Sequence, residues 1–520
     1  MDRQEFSIQP EDLEFLSSYL LEIETPLGPE ELAAQLIRHR LSRQRQDLQT
    51  QRIQAGKMYL PKERYAQEER LVFPALNWRS GRVARVRPAK TLNGDSFEVI
   101  QVQFDDGSAS EFAAGLAQHP LNNPPLEEQA GAERDAAAAS PEQAKKLAPK
   151  ITEALRAKPD FVYIAGRWFP KALIIDVSPG QLNVAEAQLD MAAGGPLPTS
   201  DLLGEVELPA GVNPKLAEFS LDLALQDDPR FDEVGPAGEV AWFLRRLEPE
   251  AVREAPIYLR YQPIEHDRSA LTQDMLDLER RLDDELSPLE AQEEGEPKLM
   301  EVPLIYPHWR VGSLPLTRKM SHLFPTALES PRVRFTLVDA QSGDRFQGWV
   351  VRTERYVVGL REWYLRRGLM PGSYVSARRG ENPGEVIVSA EAHRASKEWL
   401  RTALVGADGG VVYATLKHQV QSSFDERMTI YLPGELASLD EAWQRRAGKR
   451  MNLEQVATEA LRDLAKLSMQ NHVQAIELYA AVNLVMRCPP APLFALLASK
   501  PQFQHVGHLH FRLTESGAAR

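Results

Sequence analysis

One short pattern occurs three times in this chain, and it constrains the fold more than any other feature. "LRAKPDFVYIAG" begins at Leu155, "LQDDPRFDEVG" at Leu225 and "LASKPQFQHVG" at Leu497. Each reads Leu-x-x-x-Pro-x-Phe, with Gly166, Gly235 or Gly507 shortly after. A helical run precedes each copy, and an aromatic stretch ("RWFPKALI", "EVAWFLRRL" or "HLHFRL") follows it. The leucine anchors the last turn of a helix. Proline cannot continue that helix and fixes φ. Phenylalanine opens a strand and points into a core, and glycine permits a tight turn into a second strand. The predicted unit is a helix followed by a β-hairpin.

First halves precede two of these hairpins. "LNVAEAQLDMA" and "QAIELYAAVNLVMR" are read as first helices, and "GGPLPTSDLLGEV" and "PPAPLFALL" as a turn and second helix. "PLGPEELAAQL" near the N-terminus has the same flavour, without a clear repeat hairpin behind it. On this pattern the chain resembles the winged-helix superfamily over about Asn183–Leu247 and His472–Leu513, with a partial copy near Ile151–Ile175. The resemblance implies a fold. It leaves open whether each copy binds DNA or protein. The helix "PKLAEFSLDLALQDD" carries Glu218, Asp222, Asp227 and Asp228 against one lysine. A helix in a DNA groove lies beside phosphates, so this copy is expected to meet protein instead.

Charge decides which segments could meet DNA. The net charge is −13. Leu36–Leu92 holds 14 basic and 4 acidic residues, and Leu304–Arg401 holds 16 and 9. These islands of +10 and +7 lie in a remainder of −30. A positive island can neutralise phosphates while an acidic frame limits indiscriminate binding. The first island begins in a helix-turn-helix candidate, "PEDLEFLSSYLLEI" then "TPLGPEELAAQLIRHRLSRQRQ". It continues into alternating strands with turn signals at Ser80-Gly81, Asn93-Gly94 and Asp106-Gly107. These suggest a small SH3-like barrel whose first strand carries Arg82, Arg85 and Arg87.

The second island contains "VRFTLVD", "FQGWVV", a short helix "GLREWYLRRGL" and a returning strand. The order resembles the B3-type DNA-binding pseudobarrel over about 75 residues. Its turn corresponds to Gly343-Asp344-Arg345-Phe346, its helix to Gly359-Leu360-Arg361-Glu362-Trp363, and its last turn to Gly368-Leu369-Met370-Pro371-Gly372-Ser373. Ser373 replaces the family's aspartate and Leu360 its tryptophan, and Leu323-Phe324-Pro325 matches the Leu-Pro element loosely. The resemblance implies two arms that grip DNA. One carries Ser313, Thr317, Arg318 and Lys319, and the other Arg352, Thr353 and Arg355. Arginine can hold guanine O6 and N7 with two hydrogen bonds, and lysine suits phosphate. Solvated edge charges would look the same in sequence.

The expected fold class is multi-domain α+β, with winged-helix units, an SH3-like barrel and a B3-like pseudobarrel. The expected segments are a helical module (1–67), the small barrel (68–123), a linker (124–150), winged-helix repeats (151–260) and an acidic spacer (261–300). The basic β-domain (301–402), a hairpin with helices (403–470) and a C-terminal winged helix (471–520) follow. The spacer is read as one exposed helix before Pro288.

No phosphate-binding glycine loop, His-Glu-x-x-His helix or Gly-x-Ser-x-Gly elbow is present. His505, His508 and His510 are read as polar wing residues, and Cys488 as buried and structural. No 18-residue apolar stretch occurs, so no membrane span is expected. The expectation is a non-enzymatic, multivalent protein of the cytoplasm or nucleoid, binding double-stranded DNA without a cofactor and meeting proteins through acidic winged-helix units. The alternatives are a scaffold subunit without nucleic acid and a nuclease with an unrecognised active site.

Overall fold

In a computed structural model of the chain, strands begin at Phe161, Phe231 and Phe503, the aromatic of each repeat. The preceding helices end at Arg156, Asp227 and Ser499, two or three residues before each proline. Leu155, Leu225 and Leu497 are buried. The structure describes residues 7–54, 56–76, 78–90, 96–122, 141–209, 211–236, 238–288, 299–406, 409–434 and 436–514. The fold is mixed α+β with several sheets, and it divides into two units, Met1–Ile174 and Ile175–Arg520.

The first unit opens with α1 (Pro10–Ile23) and α2 (Pro29–Gln54). Asp12 caps the start of α1 by accepting the Gln9 N–H at 2.7 Å, and Glu31 accepts the Gly28 N–H at 2.8 Å before α2. A five-stranded sheet follows: β1 (Lys57–Met58), β2 (Arg70–Phe73), β3 (Arg79–Lys90), β4 (Ser96–Phe104) and β5 (Ala109–Ala114), paired in that order. Tyr59, Phe73, Val83, Ile100 and Phe104 fill its core. Ser80-Gly81 does not form a hairpin turn. Gly81 lies inside β3, where a Cβ would come within 2.7 Å of Val102, so close strand approach requires glycine. Asp106-Gly107 is a turn, with Gly107 at φ 83°, whereas Asn93-Gly94 lies outside the described residues.

Next come α3 (Pro141–Arg156), which packs on α2, and the hairpin β6 (Phe161–Ile164) and β7 (Arg167–Pro170). The expected linker is therefore helical from Pro141 onward, and residues 124–140 lie outside the described residues. Leu27 and Trp168 exchange both backbone hydrogen bonds, at 3.3 and 2.8 Å. Leu27 thus acts as a one-residue strand beside β7. The N-terminal helix pair and the first repeat hairpin form one module, split by the inserted five-stranded sheet.

The second unit repeats that order twice without an insertion. The first copy runs α4 (Pro179–Met191), β8 (Leu197–Pro198), α5 (Thr199–Leu203), α6 (Pro214–Asp227), β9 (Phe231–Glu233), β10 (Ala241–Leu244), with sheet order β8-β10-β9. After α7 (Glu250–Arg253), helix α8 (Gln273–Leu282) buries Met275, Leu278 and Glu279. The expected acidic spacer is thus a packed segment, and its helix is not exposed on all sides.

A seven-stranded sheet curled into a half-barrel occupies the second basic island. It contains β11 (Leu299–Pro303), β12 (Ser313–Pro315) after α9 (Tyr306–Val311), β13 (Arg332–Asp339), β14 (Arg345–Val351) and β15 (Tyr356–Val358). After α10 (Arg361–Arg366), β16 (Tyr374–Arg379) and β17 (Glu385–Ser389) complete the order β11-β16-β17-β13-β14-β15-β12. Val333, Leu337, Val350, Trp363 and Val386 are among its core residues. A long hairpin follows, β18 (Ala392–Val405) with β19 (Val411–Ser422), crossing the expected boundary at residue 402.

The last module runs α11 (Ala437–Arg446), α12 (Leu453–Ala465), β20 (Val473–Gln474), α13 (Ala475–Val485), α14 (Pro490–Ser499), β21 (Phe503–His505), β22 (His510–Leu513), with sheet order β20-β22-β21. The helix read as first in this copy, α13, is its second. The first is α12. Helices α13 and α14 are bent apart by 120° and largely buried, and no single helix among the described residues is long and apolar enough to cross a membrane. Cys488 is buried, and burial pushes its thiol up to about 12.

A buried ionic cluster fastens α8 to this module. The Arg487 guanidinium donates to Asp284 and Glu285, each at 2.7 Å, and the Tyr479 hydroxyl donates to Asp284 at 2.6 Å. His308 lies 3.2 Å from Glu285 through Nε2, and 2.9 Å from the Ser313 hydroxyl through Nδ1. Burial alone would raise the Glu285 carboxyl, but Arg487 and His308 outweigh it and hold the group below its ordinary range.

A second seam joins the β9–β10 hairpin to the half-barrel through Val234, Phe243, Trp349 and Tyr356. Arg332 meets Asp232 there at 2.6 Å. Burial pushes Glu233 up to about 7, and burial with the neighbouring Asp232 pushes Glu248 up to about 8. Both groups bind protons in the fold that they release on unfolding. Their contribution is present below the ordinary 4.5 and is lost as pH rises through 7 and 8. Chemical denaturation should show stability falling by on the order of a few kcal/mol between about pH 5 and 8.5. Glu248→Gln should flatten that slope. A pH-independent midpoint in the wild type would contradict the assignment.

Candidate nucleic-acid interface

The third helix of each module lies just before the repeat hairpin, and the three copies differ most there. In α3, Ala144, Leu147, Ala148, Ile151 and Leu155 face the core at helical spacing. That leaves Lys145, Lys146 and Lys150 exposed on the other face, with Arg156 and Lys158 exposed at its end. Lys171, just past β7, is also exposed, and Arg167 is half-buried in the hairpin. Glu142 and Glu153 are the exposed acids of α3, so its outward face is net positive.

The other two third helices present different surfaces. In α6, Asp222 is buried and accepts the Trp242 indole N–H at 3.0 Å, and Asp228 holds Arg230 at 2.7 Å. The outward acids of α6 are therefore Glu218 and Asp227, fewer than the sequence pattern implied. In α14, Pro490–Phe494 are buried, and the helix packs against α8 and the Arg268–Ala270 turn. The acidic segment thus covers the third helix of the last module.

The five-stranded sheet of the first unit adds a row of cations. An irregularity between Val83 and Arg85 resets the β3 register, so Arg82, Arg85 and Arg87 pair with Gln103, Gln101 and Val99. Those partners alternate along β4, so the three arginines share one outward face. All three are exposed. Arg82 meets Glu68 at 3.1 Å and Arg87 meets Glu111 at 2.7 Å. Such exposed pairs contribute ~0–1 kcal/mol and can exchange for phosphate.

The arms inferred on the half-barrel are placed differently from one another. Ser313 and Thr317 are 0% and 1% exposed. The Ser313 hydroxyl faces His308, and the Thr317 hydroxyl accepts the Met320 N–H at 3.2 Å. Arg352 donates to the carbonyls of Phe324 at 2.9 Å and Pro325 at 2.7 Å, and Arg355 to that of Glu285 at 2.9 Å. These four side chains brace the fold. Arg318, Lys319 and Thr353 remain at the surface, and Arg355 is exposed as well despite its bond to the Glu285 carbonyl. Elsewhere in the island, Arg310, Arg332, Arg345, Arg366, Arg367 and Arg401 each hold a carboxylate. Six of the island's sixteen cations are thus paired with carboxylates within the fold.

No family model, curated protein or solved structure matches the chain. Sequence reasoning placed a helical run before the repeat at Leu155 but assigned most of α3 to a linker or partly helical spacer, and so overlooked its lysine face. His505 and Phe511 rings lie 5.1 Å apart, and His472 and His510 rings 4.5 Å apart, so these histidines make ring contacts in the last hairpin region, whereas His508 is exposed.

Proposed function

We propose that this chain is a non-enzymatic, multivalent DNA-binding protein that grips duplex DNA mainly through α3 of a split winged-helix module. The observation that carries this reading is that, of three helices in the same place in three copies of one topology, α3 alone combines exposure with a lysine face. In helix-turn-helix proteins a helix enters the major groove. Lysines there suit the phosphates beside it. The arginine row on β3 supplies further phosphate contacts in the same unit. Linked weak contacts gain through effective concentration. The half-barrel, B3-like in its order of elements, adds Arg318, Lys319 and Thr353. The two later winged-helix copies serve packing and protein contact. The biological setting is transcription control, chromosome organisation or defence.

A scaffold without nucleic acid is the second reading, favoured by the acidic face of α6 and the covered α14. Fluorescence anisotropy of the full chain on random duplex, over a salt series, separates the two. Three to five phosphate contacts predict a log–log slope of about −3 to −5. Absence of binding at low salt would overturn the DNA reading in favour of the scaffold.

A further inference from the structure

The end of α11 and the turn after it read Arg445-Arg446-Ala447-Gly448-Lys449-Arg450. Opposite it runs the segment 257–264, and between them lies a cleft of about 230 Å³. Arg260, Arg446, Lys449, Arg450 and Arg487 line it, and no carboxylate does. Its apolar wall includes Ile257, Ile264, Trp443, Met451 and Met486. In a chain of net charge −13, five cations converging without an acid call for an explanation.

Internal pairing accounts for two of the five. Arg487 holds Asp284 and Glu285, and Arg260 holds Glu254 at 2.7 Å. Arg446, Lys449 and Arg450 have no ion pair among the described residues. Of two residues that line the cleft, Nη1 of Arg446 and Nε of Arg487 are buried without a hydrogen-bond partner among the described residues. The Arg487 side chain is wholly buried. A buried donor without an acceptor costs ~1–3 kcal/mol, and more when charged. The carboxyl end of α11 favours nearby cations, but it leaves both nitrogens unsatisfied. Burial also draws the Arg446 guanidinium below its ordinary pKa, with Arg445 adding to the effect and Glu459 opposing it.

We infer that this cleft binds a small organic phosphate: a phosphate monoester against Arg446, Lys449 and Arg450, joined to a compact ring that packs on Trp443 and Met486. The volume is below the ~300 Å³ typical of the smallest ligand pockets, so the occupant is no larger than a mononucleotide. That chemistry has two sources, a free mononucleotide or the 5′-phosphorylated terminal nucleotide of a DNA strand. The site lies on other residues than the proposed grip through α3 and stands without it.

The test uses the full chain, with thermal shift and calorimetry against dAMP, deoxyadenosine and inorganic phosphate. A second arm compares 5′-phosphorylated and 5′-hydroxyl oligonucleotides in a Lys145→Glu/Lys146→Glu background, which keeps the α3 grip from contributing. Binding of dAMP with Kd of about 1 mM or tighter, with none for deoxyadenosine, supports a free nucleotide. A preference for the 5′-phosphorylated strand without dAMP binding supports the strand end. Either should weaken at least 10-fold in the surface variant Lys449→Glu/Arg450→Glu, and also in Arg446→Gln if that variant folds. No phosphate-dependent binding in either arm would overturn the site. So would unchanged affinity in Lys449→Glu/Arg450→Glu, and equal affinity for inorganic phosphate and dAMP would refute the apolar half.

Discussion

Reversing Lys145, Lys146 and Lys150 to glutamate should lower affinity for random duplex at least about 100-fold near physiological salt and reduce the salt slope by about three. Each lost contact removes a phosphate neutralisation, and each new carboxylate adds repulsion at the same place. Because these side chains are exposed, stability should move little, by about 0.5 kcal/mol or less for each surface change. Lys150 also has a partner within the fold, so the Lys145→Glu/Lys146→Glu pair is the cleaner variant. Anisotropy measures the loss, and far-UV circular dichroism checks that α3 persists. Arg318→Glu/Lys319→Glu should cost less, since Arg310, Arg332, Arg345, Arg366, Arg367 and Arg401 of the same island already hold carboxylates. Arg352→Glu should act on stability, because its guanidinium holds the Phe324 and Pro325 carbonyls.

Arg487→Ala should be the most damaging single change in the second unit. It would leave Asp284 and Glu285 buried, at 5% and 6% exposure, without their cation. Breaking a buried pair from one side costs ~3–5 kcal/mol. For a unit spanning Ile175–Arg520 that corresponds to a midpoint lower by roughly 4–7 °C in a thermal melt. Removing the acids as well, in Arg487→Met/Asp284→Asn/Glu285→Gln, should recover much of the loss, because the uncompensated charges go with the cation. If Arg487→Ala melts like the wild type, the cluster does not fasten α8 to the last module.

The repeat hairpins were legible because their signal is local. Leucine, proline and phenylalanine act within seven residues, and strands start at the three phenylalanines. What the sequence concealed was long-range. Leu27 pairs with Trp168 across an inserted sheet, so the first module looked like two unrelated pieces. Pro149 and the alanine-rich composition gave α3 the appearance of a linker, although proline occurs inside that helix. The acids at 284 and 285 looked solvated because their cation, Arg487, lies 203 and 202 residues away. Ser313 and Thr317 looked like polar arm residues, yet their hydroxyls are satisfied inside the fold. Positive charge in the sequence marked two islands, and only the fold shows that Arg82, Arg85 and Arg87 share one exposed face of β3 while Arg352 is held by backbone carbonyls of the half-barrel.

The most direct measurement is hydrogen–deuterium exchange of the full chain with and without a random-sequence duplex. Protection should concentrate in residues 141–158 and 161–171, with a smaller effect on β3, and peptides from α6 and α14 should exchange unchanged. Protection centred on α6 or α14, or no DNA-dependent protection in α3 under conditions where binding is saturated, would contradict the account.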